Sequence, residues 1–447
     1  MTIGFAFGLQ WLLGFLIVRG LWPADQRAGS LVLRCSLAVG LGAGLASAVW
    51  FLHLVLLGAA HQGNVLAVEL VLLAALALAN RRGVRAAKMP AAGARERGAG
   101  LAAAAFGIAA AAALLSFALA TIGNPQGVVD ALTIWNIRAH MLFDSGGAWR
   151  RVLEPSLHHV DYPLLVPITV ARAWQYASET SPAVPAVNAF AFTFAAAGVC
   201  WGALRILRGS VAAFGGAAAL LACPPYVTVG AMQYADVPLA FFTGATVALL
   251  ILHARNPAGG RRLLLLAGAS LGCAAWTKNE GMLFAVAVPA AMLVLGRRAL
   301  RHKAREVLQL AIGAAPWFVA LVVFKSSLTA DNDLVAQVEA GKAWARLFEG
   351  ERWLTVALRF VECTWSLGPG LIVAAGLWLS ARARDCPRLP FVVAGLLLLG
   401  YFATYLTTSV NLEWHLGTSC QRLCLQILPV ALLAVFSGRP ALPEARA

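Results

Sequence analysis

The stretch Asn124-Pro125-Gln126-Gly127-Val128-Val129-Asp130-Ala131-Leu132-Thr133-Ile134-Trp135, followed by His158-His159-Val160-Asp161-Tyr162-Pro163, decides how this chain is read. It lies in the longest break, Gly123 to Pro185, of an otherwise apolar sequence. Breaks of that length are usually functional or disordered. This one carries Trp, Tyr and His, with apolar residues at helical spacing, which argues against disorder. Asn124-Pro125 opens it, and proline suits a helix start. Across 128–143, Ile134, Ile137 and Met141 share one helical face, with Leu132 and Trp135 close by, and Ser145-Gly146-Gly147 ends the run. The pattern predicts an amphipathic helix lying on the outer membrane surface.

The remainder of the chain supplies the membrane. Of 447 residues, 60% are hydrophobic and 12% charged, with a mean hydropathy of +0.76. A soluble domain carries about 25% charged residues. Apolar segments of bilayer-crossing length recur near residues 3–19, 33–57, 64–80, 101–122, 187–204, 211–229, 237–253, 262–276, 282–296, 306–324, 354–380, 390–408 and 422–437, about thirteen in all. The segments 262–276 and 282–296 are short and read as a broken or tilted pair. The fold class is therefore an all-α polytopic membrane protein. Its first charge, Arg19, follows the first apolar run, so that run reads as a helix with its N-terminus outside rather than as a secretory signal.

Thirteen spans starting outside place 24 of the 35 Lys+Arg in the cytoplasm and 14 of the 20 Asp+Glu outside. That asymmetry obeys the positive-inside rule. The net charge of +15 then reflects topology, not affinity for nucleic acid. The expected address is a bacterial inner membrane, with the C-terminus cytoplasmic. No G-x-G-x-x-G or Walker pattern occurs, and the cytoplasmic loops are too short for a catalytic domain. The 8 Cys have neither C-x-x-C nor zinc spacing. Residues 1–100 read as a three-helix appendage with a basic linker, and 101–437 as the main bundle, with outer loops at about 123–186 and 325–353. Residues 438–447 form a cytoplasmic tail.

The polar residues of the outer turns carry the chemistry. Asp130 falls in the first turn of the amphipathic helix, where the dipole favours an ionised carboxylate; it is either a general base or a plain helix-start acid. Asp236 follows Gln233-Tyr234 and opens an apolar helix, as a cap or as a functional carboxylate beside Tyr234. Lys278 and Glu280 lie between two apolar segments, where ionisable groups are costly and usually functional. Lys278 suits a phosphate as a point charge, and Arg422, at the outer end of the last helix, is a second anion ligand or an interface anchor. His158, His159 and Asp161 form a weak metal motif, so hydrogen bonding to a polar substrate is the better reading, with Tyr162 beside them; His415 has the same ambiguity. Lys342, Arg346 and Arg352 in the second outer loop read as a solvated helix face or as part of a lid.

Two carboxylates, two cations and aromatics at one face suit group transfer from a donor activated before export. A polyprenyl-phosphate sugar fits. One base deprotonates an acceptor hydroxyl, and cations hold the departing phosphate. Asp130, assisted by Asp236, is the candidate base, with Lys278 and Arg422 as the cations.

At these residues the chain resembles the GT-C superfamily of glycosyltransferases, and within it the protein O-mannosyltransferase and lipid A aminoarabinose transferase group. The resemblance covers about residues 101–437. In that group the first outer loop carries an acidic catalytic motif, with an aromatic a few residues on; Asp130 and Trp135 occupy those places. This chain has Asp130-Ala131 where the group often has Asp-Glu. Asp161-Tyr162-Pro163-Leu164-Leu165 resembles the Pro-rich return, Asp236-Val237-Pro238-Leu239 the Asp-hydrophobic-Pro step, and Gly272 to Lys278 the Thr-Lys pair after a Gly/Ala helix. The resemblance implies an inverting transfer from a polyprenyl-phosphate sugar, with no required cofactor; a divalent cation is compatible with it. It implies a glycan, lipid or protein acceptor; Trp135, His158, His159, Asp161, Tyr162, Tyr234, Glu280 and His415 are the candidate substrate contacts. An O-antigen ligase or polymerase would place its large outer loop later in the chain. A secondary transporter would place its ionisable groups near the midplane, often in repeated halves.

Overall fold

The computed structural model describes residues 1–23, 30–81, 96–144, 146–255, 261–295, 299–328, 340–368 and 387–438. Every described element is helical. Three helices come first: α1 (Ile3–Leu21), α2 (Ser30–Leu57) and α3 (Gln62–Asn80). Thr2 starts α1 by accepting the Phe5 amide at 3.2 Å, satisfying one of the amides a helix start leaves open. α1 and α2 cross closely because both contribute glycine: a Cβ on Gly14 would lie 2.1 Å from the Ala38 carbonyl oxygen, and one on Gly42 2.1 Å from that of Gln10. Small residues let membrane helices approach in this way.

Next come α4 (Ala99–Gly123), then α5 (Asn136–Asp144) and α6 (Leu165–Ala177) inside the long polar break, and α7 (Ala183–Leu207). α8 (Ser210–Leu221) and α9 (Pro224–Ala231) form a pair bent by 61°. Then follow α10 (Asp236–Arg255), α11 (Arg261–Thr277), α12 (Asn279–Val294), α13 (Leu300–Ser326), α14 (Ala340–Leu347), α15 (Gly350–Ser366), α16 (Arg388–Thr407) and α17 (Leu412–Ser437).

Among the described residues, nine helices are long and apolar enough to cross a membrane, or ten if the bent pair is one span. The expected thirteen is therefore not reached by that measure. Each expected segment does fall on a helix, but α11 and α12 have 17 and 16 residues, short for a span. The segment 354–380 begins in α15, and its part at 369–386 lies outside the described residues. α15 turns Trp353, Leu354, Leu358, Val361 and Trp365 outward, while Val356 and Cys363 face the protein. Its exposed Glu351, Thr355 and Glu362 fall on a third face, a pattern suited to a membrane interface.

α10 is the axis of the bundle. Every residue from Asp236 to His253 is buried, against α7, α11 and α17. A helix apolar all round belongs in the core. Its first residue, Asp236, is thereby delivered to the centre of one end of the bundle.

Candidate active site

The long loop opens with a helical segment whose first turn is π-helical, Ala131–Trp135, running into α5. Wide turns of this kind recur at functional sites, and this one follows Asp130 directly. The face packed on the protein is Ala131, Ile134, Trp135, Arg138, Ala139 and Leu142, all buried. This face differs from the expected Ile134–Ile137–Met141 stripe because a buried cation takes its centre. Arg138 is fully buried and donates to the carbonyls of Tyr162 and His158, each at 3.0 Å, and to that of His159. It thereby fixes the turn that presents Tyr162, and His159 holds the left-handed region at φ 50° there. Replacing Arg138 with Ala removes this donor and is expected to destabilise the protein by about 3 kcal/mol, read as a lower melting temperature in detergent.

A second turn meets the first. Gly127 (φ 78°) packs so closely that a Cβ would lie 2.7 Å from the Met232 carbonyl oxygen. Gln233, itself left-handed at φ 64°, accepts from Asn136 at 2.7 Å and donates to the Pro125 carbonyl at 2.9 Å. These bonds hold a strained backbone conformation and clamp the Asp130 turn onto the start of α10. The Tyr234 hydroxyl accepts from the Asp130 amide at 3.4 Å, and burial pushes its phenol above the ordinary value.

Two cation–carboxylate groups result. Arg422 of α17 donates to the Asp130 carboxylate and lies 5.2 Å over the Tyr234 ring. Asp236 accepts from Lys278 at 3.0 Å and from Gln426 at 2.7 Å, and Lys278 also meets Glu280 at 2.8 Å. Burial pulls the Lys278 ammonium down, but Asp236 and Glu280 outweigh it and hold the ammonium above the usual lysine value. Tyr162 joins the two: Lys278 lies 5.6 Å from its ring, which stacks between Trp135 at 5.5 Å and His159 at 4.7 Å. Burial raises its phenol well above the usual value, and Glu280 adds to the effect.

The two carboxylates differ in access. The Asp130 side chain is 23% exposed and Asp236 only 1%. Inside the cluster, Asp236 Oδ2, Glu280 Oε2 and Arg422 Nε are buried without a hydrogen-bond partner. Native proteins rarely leave such atoms unpaired. Two acceptors and one donor in that state are complementary to sugar hydroxyls and to a phosphate.

Five expected residues make other contacts. Asp161 is fully buried and accepts from Asn279 at 2.6 Å, while Lys325 donates to its carbonyl at 2.6 Å. It ties the loop to α12 and α13. His158 is exposed and contributes its carbonyl. His415 bonds Thr408 at 3.2 Å and meets Tyr405 edge-on, at the α16–α17 turn. Arg346 and Arg352 bond carbonyls of that same turn, and the Lys342 side chain lies outside the described residues. Among the described residues no group of three His, Cys, Asp or Glu side chains is placed to hold a metal.

Residues 139–325 match the family model described as dolichyl-phosphate-mannose-protein mannosyltransferase. That model is of the protein O-mannosyltransferase family, a GT-C glycosyltransferase family, and the match covers less than half of the chain. No curated protein and no solved structure matches the chain. The family transfers mannose from a dolichyl- or polyprenyl-phosphate carrier to acceptor hydroxyls in a membrane, and the match supports a membrane glycosyltransferase. The match sets the transferase reading above the transporter and ligase alternatives. It contains Asp161, Tyr162, Tyr234, Asp236, Lys278 and Glu280, whereas Asp130, Trp135, Arg422 and His415 lie beyond its ends. The transferase's missed residues are Arg138, Gln233, Asn279, Lys325 and Gln426. Gln233 and Asn279 lie in the polar turns that carry Asp236 and Lys278, and Gln426 is a polar side chain within an apolar last helix.

Proposed function

We propose that this transferase moves mannose from a polyprenyl-phosphate carrier to a hydroxyl of a protein acceptor on the outer, periplasmic side of a bacterial inner membrane. The observation that carries the reading is the pairing of Asp130 with Arg422, and of Asp236 and Glu280 with Lys278, around buried unpaired polar atoms. Asp130 is the general base. It is the more open of the two aspartates, and a base must reach the proton it removes. In the resting site Arg422 neutralises it. A donor phosphate competes for Arg422 and releases Asp130 to the acceptor hydroxyl.

The acceptor oxygen then attacks the anomeric carbon, the carbon–oxygen bond to phosphate breaks, and the electron pair leaves on the polyprenyl phosphate. Asp130 takes the acceptor proton. Arg422 and Lys278 stabilise the charge that develops on the departing phosphate, the kind of contribution that dominates many such sites. Asp236, almost inaccessible, aims Lys278. The positive-inside distribution of Lys and Arg supports the outer placement.

Two experiments follow. Purified protein in liposomes is given mannose as polyprenyl-phosphate mannose or as a nucleotide sugar, with a hydroxyl-bearing peptide. Glycopeptide is expected from the lipid donor alone, and transfer from the nucleotide sugar would refute the reading. Separately, Arg422→Gln removes a charged phosphate contact and is expected to raise the donor KM by about 10- to 100-fold, measured by donor titration.

A further inference from the structure

The three N-terminal helices precede the family-matched segment, yet they make its most buried charged contact. Glu69 of α3 and Arg172 of α6 are both 0% exposed. The guanidinium donates through Nε and Nη2 to the two carboxylate oxygens, each at 2.6 Å, and through Nη1 to the Ala6 carbonyl of α1 at 3.1 Å. The Tyr176 hydroxyl adds a bond to Glu69 at 3.0 Å, and its ring lies 4.6 Å from the guanidinium. One turn away, Trp50 of α2 donates to Gln175 at 3.0 Å, and Gln175 donates to the Ala60 carbonyl in the α2–α3 turn. All three helices therefore grip α6. α2 also holds α11, where Trp276 donates to Ser47 at 3.2 Å.

These grips fall on the two helices that adjoin site residues in the chain. α6 begins immediately after Asp161-Tyr162-Pro163-Leu164, and Trp276 precedes Lys278 by two residues. Replacing a buried ion pair by well-packed apolar residues is often neutral or stabilising. A planar, two-pronged Arg–carboxylate contact adds geometric specificity instead: it fixes both the rotation and the height of α6. We propose that the three N-terminal helices are a positioning frame for the donor side of the active site, with Arg172 as the positioning residue that sets Tyr162 against Lys278.

The inference rests on the proposed transfer reaction, and its test separates the two. Arg172→Lys keeps the charge but loses the fork. It is measured for kcat, for donor KM with polyprenyl-phosphate mannose, and for amide hydrogen exchange at residues 161–164. The expected result is kcat lower by about 10- to 100-fold, unchanged KM, and faster exchange at 161–164. Wild-type kcat and exchange would overturn the frame, as would a raised KM with kcat retained. If Arg172→Lys fails to fold, the double variant Trp50→Phe/Tyr176→Phe decides. It loosens the same helix without touching the charges; a kcat loss at constant KM supports the frame and wild-type kcat overturns it. A wild-type protein that never turns over the lipid donor defeats the reaction reading, while the exchange rates still decide the frame.

Discussion

Asp130→Asn is expected to lower kcat by about 10²- to 10⁴-fold, the range for a lost general base, with donor KM no higher than that of the wild type, since a competitor for Arg422 is gone, and a melting temperature close to it. The substitution is nearly isosteric. Its cost to stability is small because the Asp130–Arg422 pair is partly open, with side chains 23% and 20% exposed, and such pairs contribute about 0–1 kcal/mol. Arg422 stays in place through its contact over the Tyr234 ring at 5.2 Å. The loss therefore falls on the chemical step. Single-turnover measurement with bound donor isolates that step, and a wild-type rate there would remove Asp130 as the base.

Lys278→Met has the opposite signature. The ammonium stands between Asp236 at 3.0 Å and Glu280 at 2.8 Å, and removing it leaves two carboxylates facing each other, one of them 1% exposed. Breaking a buried pair from one side costs about 3–5 kcal/mol, so the variant is expected to express poorly and melt early. The double variant Asp236→Asn/Lys278→Met removes one charge of each sign and is expected to recover most of that stability while remaining inactive. Thermal unfolding in detergent, alongside the transfer assay, checks both parts. A double variant as unstable as Lys278→Met would mean that Glu280, and not Asp236, is the main partner of Lys278. This contrast is why the two aspartates receive different roles: the exposed one acts on substrate, and the buried one holds a lysine.

Much of this was legible in the sequence, for physical reasons. Ionisable residues are scarce in an apolar chain, so Asp130, Asp236, Lys278 and Arg422 stood out, and the structure brings all four to one end of the bundle. The pairing was not legible. Asp130 and Arg422 are 292 residues apart, and periodicity carries no information on such contacts. Asp161 read as a substrate contact because it sits beside His and Tyr; its partners, Asn279 and Lys325, come from helices that only the fold brings near. Arg138 lies in the stretch read as an amphipathic helix, and no local pattern shows that three carbonyls surround it. The span count fared less well. α11 and α12 are apolar but short, and the second half of 354–380 lies outside the described residues. Glu69 lies within an apolar stretch, and its partner, Arg172 of α6, is 103 residues away.

The central claim is direct displacement at the anomeric carbon, with Asp130 as base and polyprenyl phosphate as leaving group. The configuration of the product tests it most directly. Glycopeptide made from polyprenyl-phosphate mannose of known anomeric configuration is examined by NMR through its one-bond carbon–proton coupling at the anomeric position. The account predicts a glycosidic bond of the opposite configuration to that of the donor. Retained configuration would require a covalent glycosyl–enzyme intermediate and would contradict it.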